Sequence, residues 1–474
     1  MSGRKIDVAN PRTGAVDYRF EAVDEAGLAK LAARLRMAQG QWAARTIEDR
    51  CQALLGWADA IGRHKDAIAA ALEIDTGRRR IARLEVEGAI ASIRGWAAGA
   101  PHLLPKPQWV EGRMNPAIRH QAQDVPYALT GVISPWNFPL TLSLIDTVPA
   151  LIAGSAVIVK PSEVTPRFAG PLSAAIAEAG LSDLLAFAPG DGATGAALID
   201  LVDIVCFTGS VPTGKKVAVR AAGRLIPAFL ELGGKDPLII LESADMDRAV
   251  TATLRGSVLS TGQACQSIER IYVARAIYPA FLARLVSAAE AVRFNWPDIN
   301  SGELGPMIFA RQADIIAGQL EDAVARGAKV LTGGKIERHG GGYWIAPTIL
   351  TDVTHDMAVI REETFGPILP VMAFDSVDEA VRLANDTVYG LSAAVIAGSI
   401  EEAEAVGRQL EAGAVTLNDA ALTALFHEAE KQSFKQSGLG PSRMGAAGLL
   451  RFFRRKALIA QTGAPAPLSA FCEG

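Results

Sequence analysis

Between Pro126 and Leu230 the chain sets short apolar runs between helix-like segments: Ala128-Leu-Thr-Gly-Val-Ile133, Ala156-Val-Ile-Val159, Leu184-Leu-Ala-Phe-Ala188, Asp203-Ile-Val-Cys-Phe207 and Pro227-Ala-Phe-Leu230. Continuous apolar strands alternating with helices are the pattern of a parallel sheet covered on both faces. A second series follows at Pro237–Leu241, Ser267–Val273, Ala328–Leu331, Ile368–Ala373, Ala393–Ile396 and Ala414–Asn418, with helices predicted at Met246–Ser260, Tyr278–Ala291 and Ala310–Arg326. The fold class is therefore α/β, with two lobes and a cleft between them. Upstream, apolar spacing predicts helices over Ala22–Ala44, Ile47–Ile74 and Arg78–Ala100. Arg113–Asp124 alternates in polarity and predicts an exposed ribbon. The Gly- and Pro-broken C-terminus reads as irregular, although Leu468 and Phe471 favour docking on something.

Composition narrows the function. Forty-seven Lys and Arg against 51 Asp and Glu leave a net charge of −4 in 474 residues. No basic excess exists to hold nucleic acid or an anionic membrane. The least charged stretch, Val125–Val159, contains one charge, Asp146, but prolines and glycines interrupt it, so buried strands fit better than a membrane helix. The N-terminus has no apolar signal-peptide core. Cys51, Cys206, Cys265 and Cys472 are too few and scattered for a disulfide framework or a metal cluster and suit a reducing cytoplasm. The six histidines have no metal-ligand spacing, and no metal is expected.

Several short motifs carry possible chemistry. Gly190-Asp-Gly-Ala-Thr-Gly195 matches a dinucleotide fingerprint but lacks its downstream acid, and reads as a tight turn. Phe207-Thr-Gly209-Ser210 ends a strand and opens a helix whose free N–H groups suit a pyrophosphate or, equally, an ordinary cap. Lys160-Pro-Ser-Glu163 follows a strand end, where the two charges meet ribose hydroxyls or form a surface pair. Cys265 sits in a polar loop, as a nucleophile or an inert thiol. Glu231 ends an apolar strand, as a structural carboxylate or a general base. Asn137, between Pro135 and Pro139, is either an oxyanion donor or a turn residue bonded to its own backbone.

Taken in order, Pro135-Trp-Asn-Phe-Pro139, Lys160-Pro-Ser-Glu163, Phe207-Thr-Gly-Ser210, Glu231-Leu-Gly-Gly-Lys235, Gly262-Gln-Ala-Cys265, Glu362-Glu-Thr-Phe-Gly-Pro367 and Ser437-Gly-Leu-Gly440 resemble the aldehyde dehydrogenase superfamily over nearly the whole chain. The resemblance implies a Rossmann-like NAD-binding domain (1–108 and 126–232, with 437–455 returning to it). It also implies an α/β catalytic domain (233–436) and a small β oligomerisation element with the tail (109–125 and 456–474). It implies Cys265 as nucleophile, Glu231 as base and Asn137 as oxyanion donor. Trp136, Lys160, Glu163, Gly209, Ser210, Glu363 and Phe365 are implied as NAD contacts, and a homodimer or homotetramer as the assembly.

The family often reads Pro-Phe-Gly-Gly-x-Lys before Ser-Gly. Here Gln432-Ser-Phe-Lys435-Gln-Ser-Gly438 lacks the glycine pair, and Lys435 is the cation with a chance of reaching the substrate. Phe138, Thr141, Leu142 and Ile145 share one helix face in the segment implied to line the substrate tunnel, with core packing as the alternative. No Lys or Arg lies between Asp124 and Lys160, which predicts a neutral, apolar aldehyde, aromatic or medium-chain. The alternatives are a semialdehyde, a coenzyme-A-acylating enzyme, disfavoured by Glu231, and a silent NAD-binding homologue. The Glu163 carboxylate predicts NAD over NADP, since it repels a 2′-phosphate.

Overall fold

The computed structural model describes residues 4–104 and 106–473. A six-stranded sheet runs Gly438–Leu439, Ala228–Glu231, Ile204–Thr208, Leu129–Ile133, Ala156–Lys160, Leu185–Phe187, parallel except for the first strand. Its side chains alternate between two cores. Val132, Val157, Val159, Ile204 and Cys206 face the helices Ile47–Arg63, Arg79–Gly99 and Pro139–Ala153. Leu129, Ile133, Ile158, Val205 and Phe207 face Glu25–Ala43, Gly192–Ile199 and Val211–Gly223. Helices on both faces explain why these strands read as unbroken apolar runs.

A seven-stranded sheet runs Lys329–Val330, Thr348–Thr351, Ile368–Phe374, Ile268–Ala274, Asp236–Ile240, Ser392–Ile396, Ala414–Leu417, with only the first strand antiparallel. A three-stranded antiparallel ribbon joins Val110–Glu111, Ile118–Pro126 and Phe453–Gln461. The C-terminal segment returns to the six-stranded sheet. Gly438 pairs with Glu231, while Arg443 and Arg451 both bind the buried Asp146, the one charge of the Val125–Val159 stretch. Beyond the ribbon, Leu468 and Phe471 stand 87% and 72% exposed.

Two expectations need correction. The stretch Ile47–Ile74 is two helices, Ile47–Arg63 and Lys65–Thr76, which meet at His64. There the backbone leaves helical geometry (φ −92°, ψ 4°), and Arg63 and His64 both bind Glu178 from another helix. The apolar rhythm continues across the break, so tertiary ion pairs rather than periodicity mark it. The first residues are not all helical either. Lys5–Ala9 and Val16–Glu21 form a mostly exposed hairpin with too few apolar residues to signal a strand. No helix is long and apolar enough to cross a membrane among the described residues.

Candidate active site

Three loops meet, one from the six-stranded sheet and two from the seven-stranded sheet. The first leaves the strand Leu129–Ile133 and enters the helix Pro139–Ala153 through Asn137. Phe138, at the head of that helix, offers no side-chain cap. The cap comes from Glu85, whose carboxylate accepts the N–H groups of Leu140 and Thr141, both at 3.0 Å. Arg78, from the same N-terminal helical region, donates to the Asn137 carbonyl and lies 5.2 Å over the Phe138 ring. Burial pushes Glu85 up to about 7 and Arg78 down to about 10, and their mutual attraction opposes both shifts. Sequence reasoning missed this pair: Arg78 is the extended residue that precedes the helix Arg79–Gly99, and Glu85 lies within that helix.

The second loop carries Cys265. Ser260, Thr261 and Gly262 all adopt positive φ (59°, 58° and 66°). A Cβ on Gly262 would lie 2.3 Å from the Gly366 carbonyl carbon, so only glycine fits. Gln263 staples the loop: its amide donates to Ser260 O and Pro306 O, and its carbonyl accepts Ile308 N at 2.9 Å. Its backbone oxygen accepts the Asn137 side-chain amide at 3.0 Å. Asn137 is therefore not a turn residue bonded to its own backbone; its amide is oriented by the cysteine loop. The Cys265 thiol is half-buried and pushed up to about 12, chiefly by burial. Glu363, Asp236 and Glu231 add to that rise, and Lys431 opposes it.

Glu231 ends its strand facing this loop, and its carboxylate accepts Ser433 Oγ at 3.2 Å and Lys431 Nζ at 3.5 Å. Lys431 escaped the sequence reading. Lys435, the cation that the sequence left a chance of reaching the substrate, turns away and binds Asn385 O at 2.7 Å and Glu411 at 2.6 Å.

The third loop bears Glu363 and Phe365. Burial pushes Glu363 up to about 8, and its carboxylate accepts Gly234 N at 3.2 Å. A Cβ on Gly233 would lie 2.5 Å from that carboxylate. Phe365 meets Trp136 edge to face at 5.3 Å. A buried group missed in the sequence holds this loop: Glu269 accepts Thr364 N at 2.7 Å and Phe365 N at 2.8 Å while paired with Lys235 at 2.6 Å.

The remaining predicted residues fall in two places. Lys160 ends its strand buried, donating at 2.8 Å to Glu163, which is 41% exposed. Gly209 and Ser210 open the helix Val211–Gly223, where the Ser210 hydroxyl makes no capping bond and turns to Thr213 at 3.1 Å. The Gly190–Gly195 turn differs, because Asp191 caps its own helix through Ala193 N and binds Arg4. Phe138, Thr141, Leu142 and Ile145 are all partly exposed, whereas Leu140, Ser143, Leu144 and Asp146 are buried, so the stripe is not closed core. Among the described residues no cluster of His, Cys, Asp and Glu is arranged to hold a metal, and no histidine bonds Cys265.

The model of the aldehyde dehydrogenase family matches residues 1–458. The chain belongs to the aldehyde dehydrogenase family. Among solved structures, "Putative Aldehyde Dehydrogenase PutA" of Anabaena variabilis is 51% identical, with a TM-score of 0.96 over 98% of this chain and 99% of that one. Betaine aldehyde dehydrogenase of Staphylococcus aureus, solved with NAD+, is 28% identical, with a TM-score of 0.92 over 99% of this chain and 94% of that one. A Mycolicibacterium smegmatis protein named "Putative succinate-semialdehyde dehydrogenase", with NADP+ as its cofactor, is 38% identical over 424 residues, 89% of this chain and 82% of its own. This aldehyde dehydrogenase is thus an NAD(P)-linked oxidoreductase of α/β fold.

Proposed function

We propose that this enzyme oxidises an aldehyde to the free carboxylic acid through a thioester on Cys265. The observation that carries the reading is the hydrogen bond from Asn137 to the carbonyl of Gln263, two residues before Cys265. It fixes a side-chain donor beside the nucleophile's loop. The amide has a second N–H, which among the described residues has no protein partner, and a developing oxyanion supplies one. The Cys265 sulfur bonds to the carbonyl carbon, and the former carbonyl oxygen carries the negative charge against the Asn137 amide. The nicotinamide, when bound, supplies the hydride acceptor. Loss of hydride from that carbon leaves a thioester. Glu231 takes a proton from water, the hydroxide adds to the thioester, and the thiolate leaves as the acid departs.

The residues present fit the cofactor. The helix at Val211 lacks the side-chain cap that Asp24, Thr46, Asp191, Asp245, Ser376 and Ser399 give other helices. Its first N–H groups and the Ser210 hydroxyl suit a pyrophosphate. Lys160 and Glu163 suit the adenosine ribose, and Gly209 lets the chain turn close by. Trp136, Phe365 and the Glu363 carboxylate suit the nicotinamide half.

NAD is expected to give higher kcat/KM than NADP, because Glu163 repels a 2′-phosphate. Glu163→Gln should narrow the gap. The relative named for NADP+ makes the opposite order the informative failure. Glu231→Gln should still release one NADH per active site in a rapid burst, then turn over about 10²-fold more slowly or worse. Slow turnover with no burst would assign Glu231 to the activation of Cys265 instead.

The half-open stripe of Phe138, Thr141, Leu142 and Ile145 supports a neutral apolar substrate. The ion pair of Lys431 with Glu231 supports it too, since that lysine's charge is already matched by a carboxylate. The semialdehyde reading draws on the named relative and on Lys431 itself. Hexanal and benzaldehyde should outperform succinic semialdehyde in kcat/KM; the reverse order would select the semialdehyde. The domain division 1–108 with 126–232 and 437–455, then 233–436, is proposed as well, with one large sheet in each unit as its support. The ribbon and tail, with Leu468 and Phe471 exposed, are proposed to pair subunits. Truncation after Gln461 should lower the melting temperature or weaken the oligomer, and no change in either would count against that pairing.

A further inference from the structure

The site proposed above must hold two anions at close quarters, the Glu231 carboxylate and the Cys265 thiolate. Like charges in a shielded site disfavour each other's ionisation. Lys431 pairs with Glu231 at 3.5 Å, and its charge favours the Cys265 thiolate. Its side chain is 8% exposed and that of Glu231 is 13% exposed. In the Pro-Phe-Gly-Gly-x-Lys pattern its position is a phenylalanine, so the charge is a feature of this chain.

The position of Lys431 is built. Its backbone N–H donates to Ser442 Oγ at 3.1 Å. Downstream, Phe434 N and Gln436 N bond Gly390 O and Val388 O at 2.8 and 3.0 Å. Ser433, two residues on, adds a second bond to the same Glu231 oxygen. The other charged groups near the thiol are committed elsewhere. Asp236 binds Ser392, Glu363 binds Gly234 N, and Arg443 binds Asp146 and Thr208.

We propose that Lys431 is a positioning residue that holds the Glu231 carboxylate apart from the Cys265 sulfur and offsets the repulsion between base and nucleophile. The inference rests on the roles proposed above for Cys265 and Glu231. A single 3.5 Å contact is a weak tether, and Glu231 can leave it to take a proton from water. The direction of Lys431's influence on the thiol agrees: it favours the thiolate, opposing Glu363, Asp236 and Glu231.

The test is the pH dependence of Cys265 alkylation by iodoacetamide in the full-length enzyme without substrate. Lys431→Met keeps the length and removes the charge. Its alkylation midpoint should rise by about one pH unit, a tenfold loss of rate at fixed pH. The acidic limb of kcat/KM should move equally for hexanal and for succinic semialdehyde, and Lys431→Arg should restore most of both. An unchanged alkylation profile would overturn the proposal. So would a loss confined to succinic semialdehyde, which would make Lys431 a contact for the substrate carboxylate. Glu231→Gln gives an independent arm that does not depend on Lys431→Met folding: it frees Lys431 for the thiolate, so the midpoint should fall, and a rise or no change contradicts the proposal. Substantial turnover by Cys265→Ala would instead sink the underlying mechanism, whatever the alkylation data.

Discussion

Cys265→Ala is expected to lower aldehyde-dependent NADH formation by on the order of 10⁴-fold or more, the largest effect of any single change. The substitution removes only the atom that forms the covalent bond. The loop itself is held by Gln263, by Thr261 Oγ on Gly305 O at 3.0 Å and by Ser267 Oγ on Gly262 O at 3.2 Å. NAD binding and the melting temperature should therefore stay close to those of the parent. Stopped-flow absorbance should record no burst. Turnover within tenfold of the parent would mean that Cys265 does not carry the acyl group.

Asn137→Ala should lower kcat by roughly 10²–10³, the usual worth of one fixed oxyanion donor. KM should change little, because the donor acts on charge that develops only after the substrate is bound. The variant also leaves the Gln263 carbonyl without its partner, which should cost about 1–3 kcal/mol of stability. Asn137→Asp separates the two effects: it keeps the size and loses the donors, so it should be as slow as the alanine variant. A kcat loss below tenfold in both would make Asn137 a strut for the loop rather than part of the chemistry.

The strands were the most legible part of the sequence. A buried strand is apolar on both faces; each predicted run from Ala128 to Leu230 overlaps a strand, and those at Leu129–Ile133, Ala156–Lys160 and Ile204–Thr208 are buried throughout. The break at His64 and the N-terminal hairpin were not legible, since distant ion pairs mark one and the other buries little. Cys265, Glu231, Asn137, Glu363 and Phe365 were legible as a set because each lies in a short motif. Their supports were not. Arg78 precedes a helix and Glu85 lies within it, and they act on a loop 59 and 55 residues away, while Glu269 sits within an apolar strand. Lys431 and Lys435 show the limit most clearly: two lysines four residues apart point to opposite partners, Glu231 and Glu411. The segment's path, fixed by bonds to Gly390 and Val388, decides which enters the site.

The most direct measurement is the stoichiometry of products from the purified enzyme given hexanal and NAD, with and without coenzyme A. One NADH and one hexanoic acid should form per aldehyde consumed, at the same rate whether or not the thiol is present. Formation of hexanoyl-coenzyme A in place of the acid, or acid formed without NADH, would contradict hydrolysis of a Cys265 thioester by water that Glu231 activates.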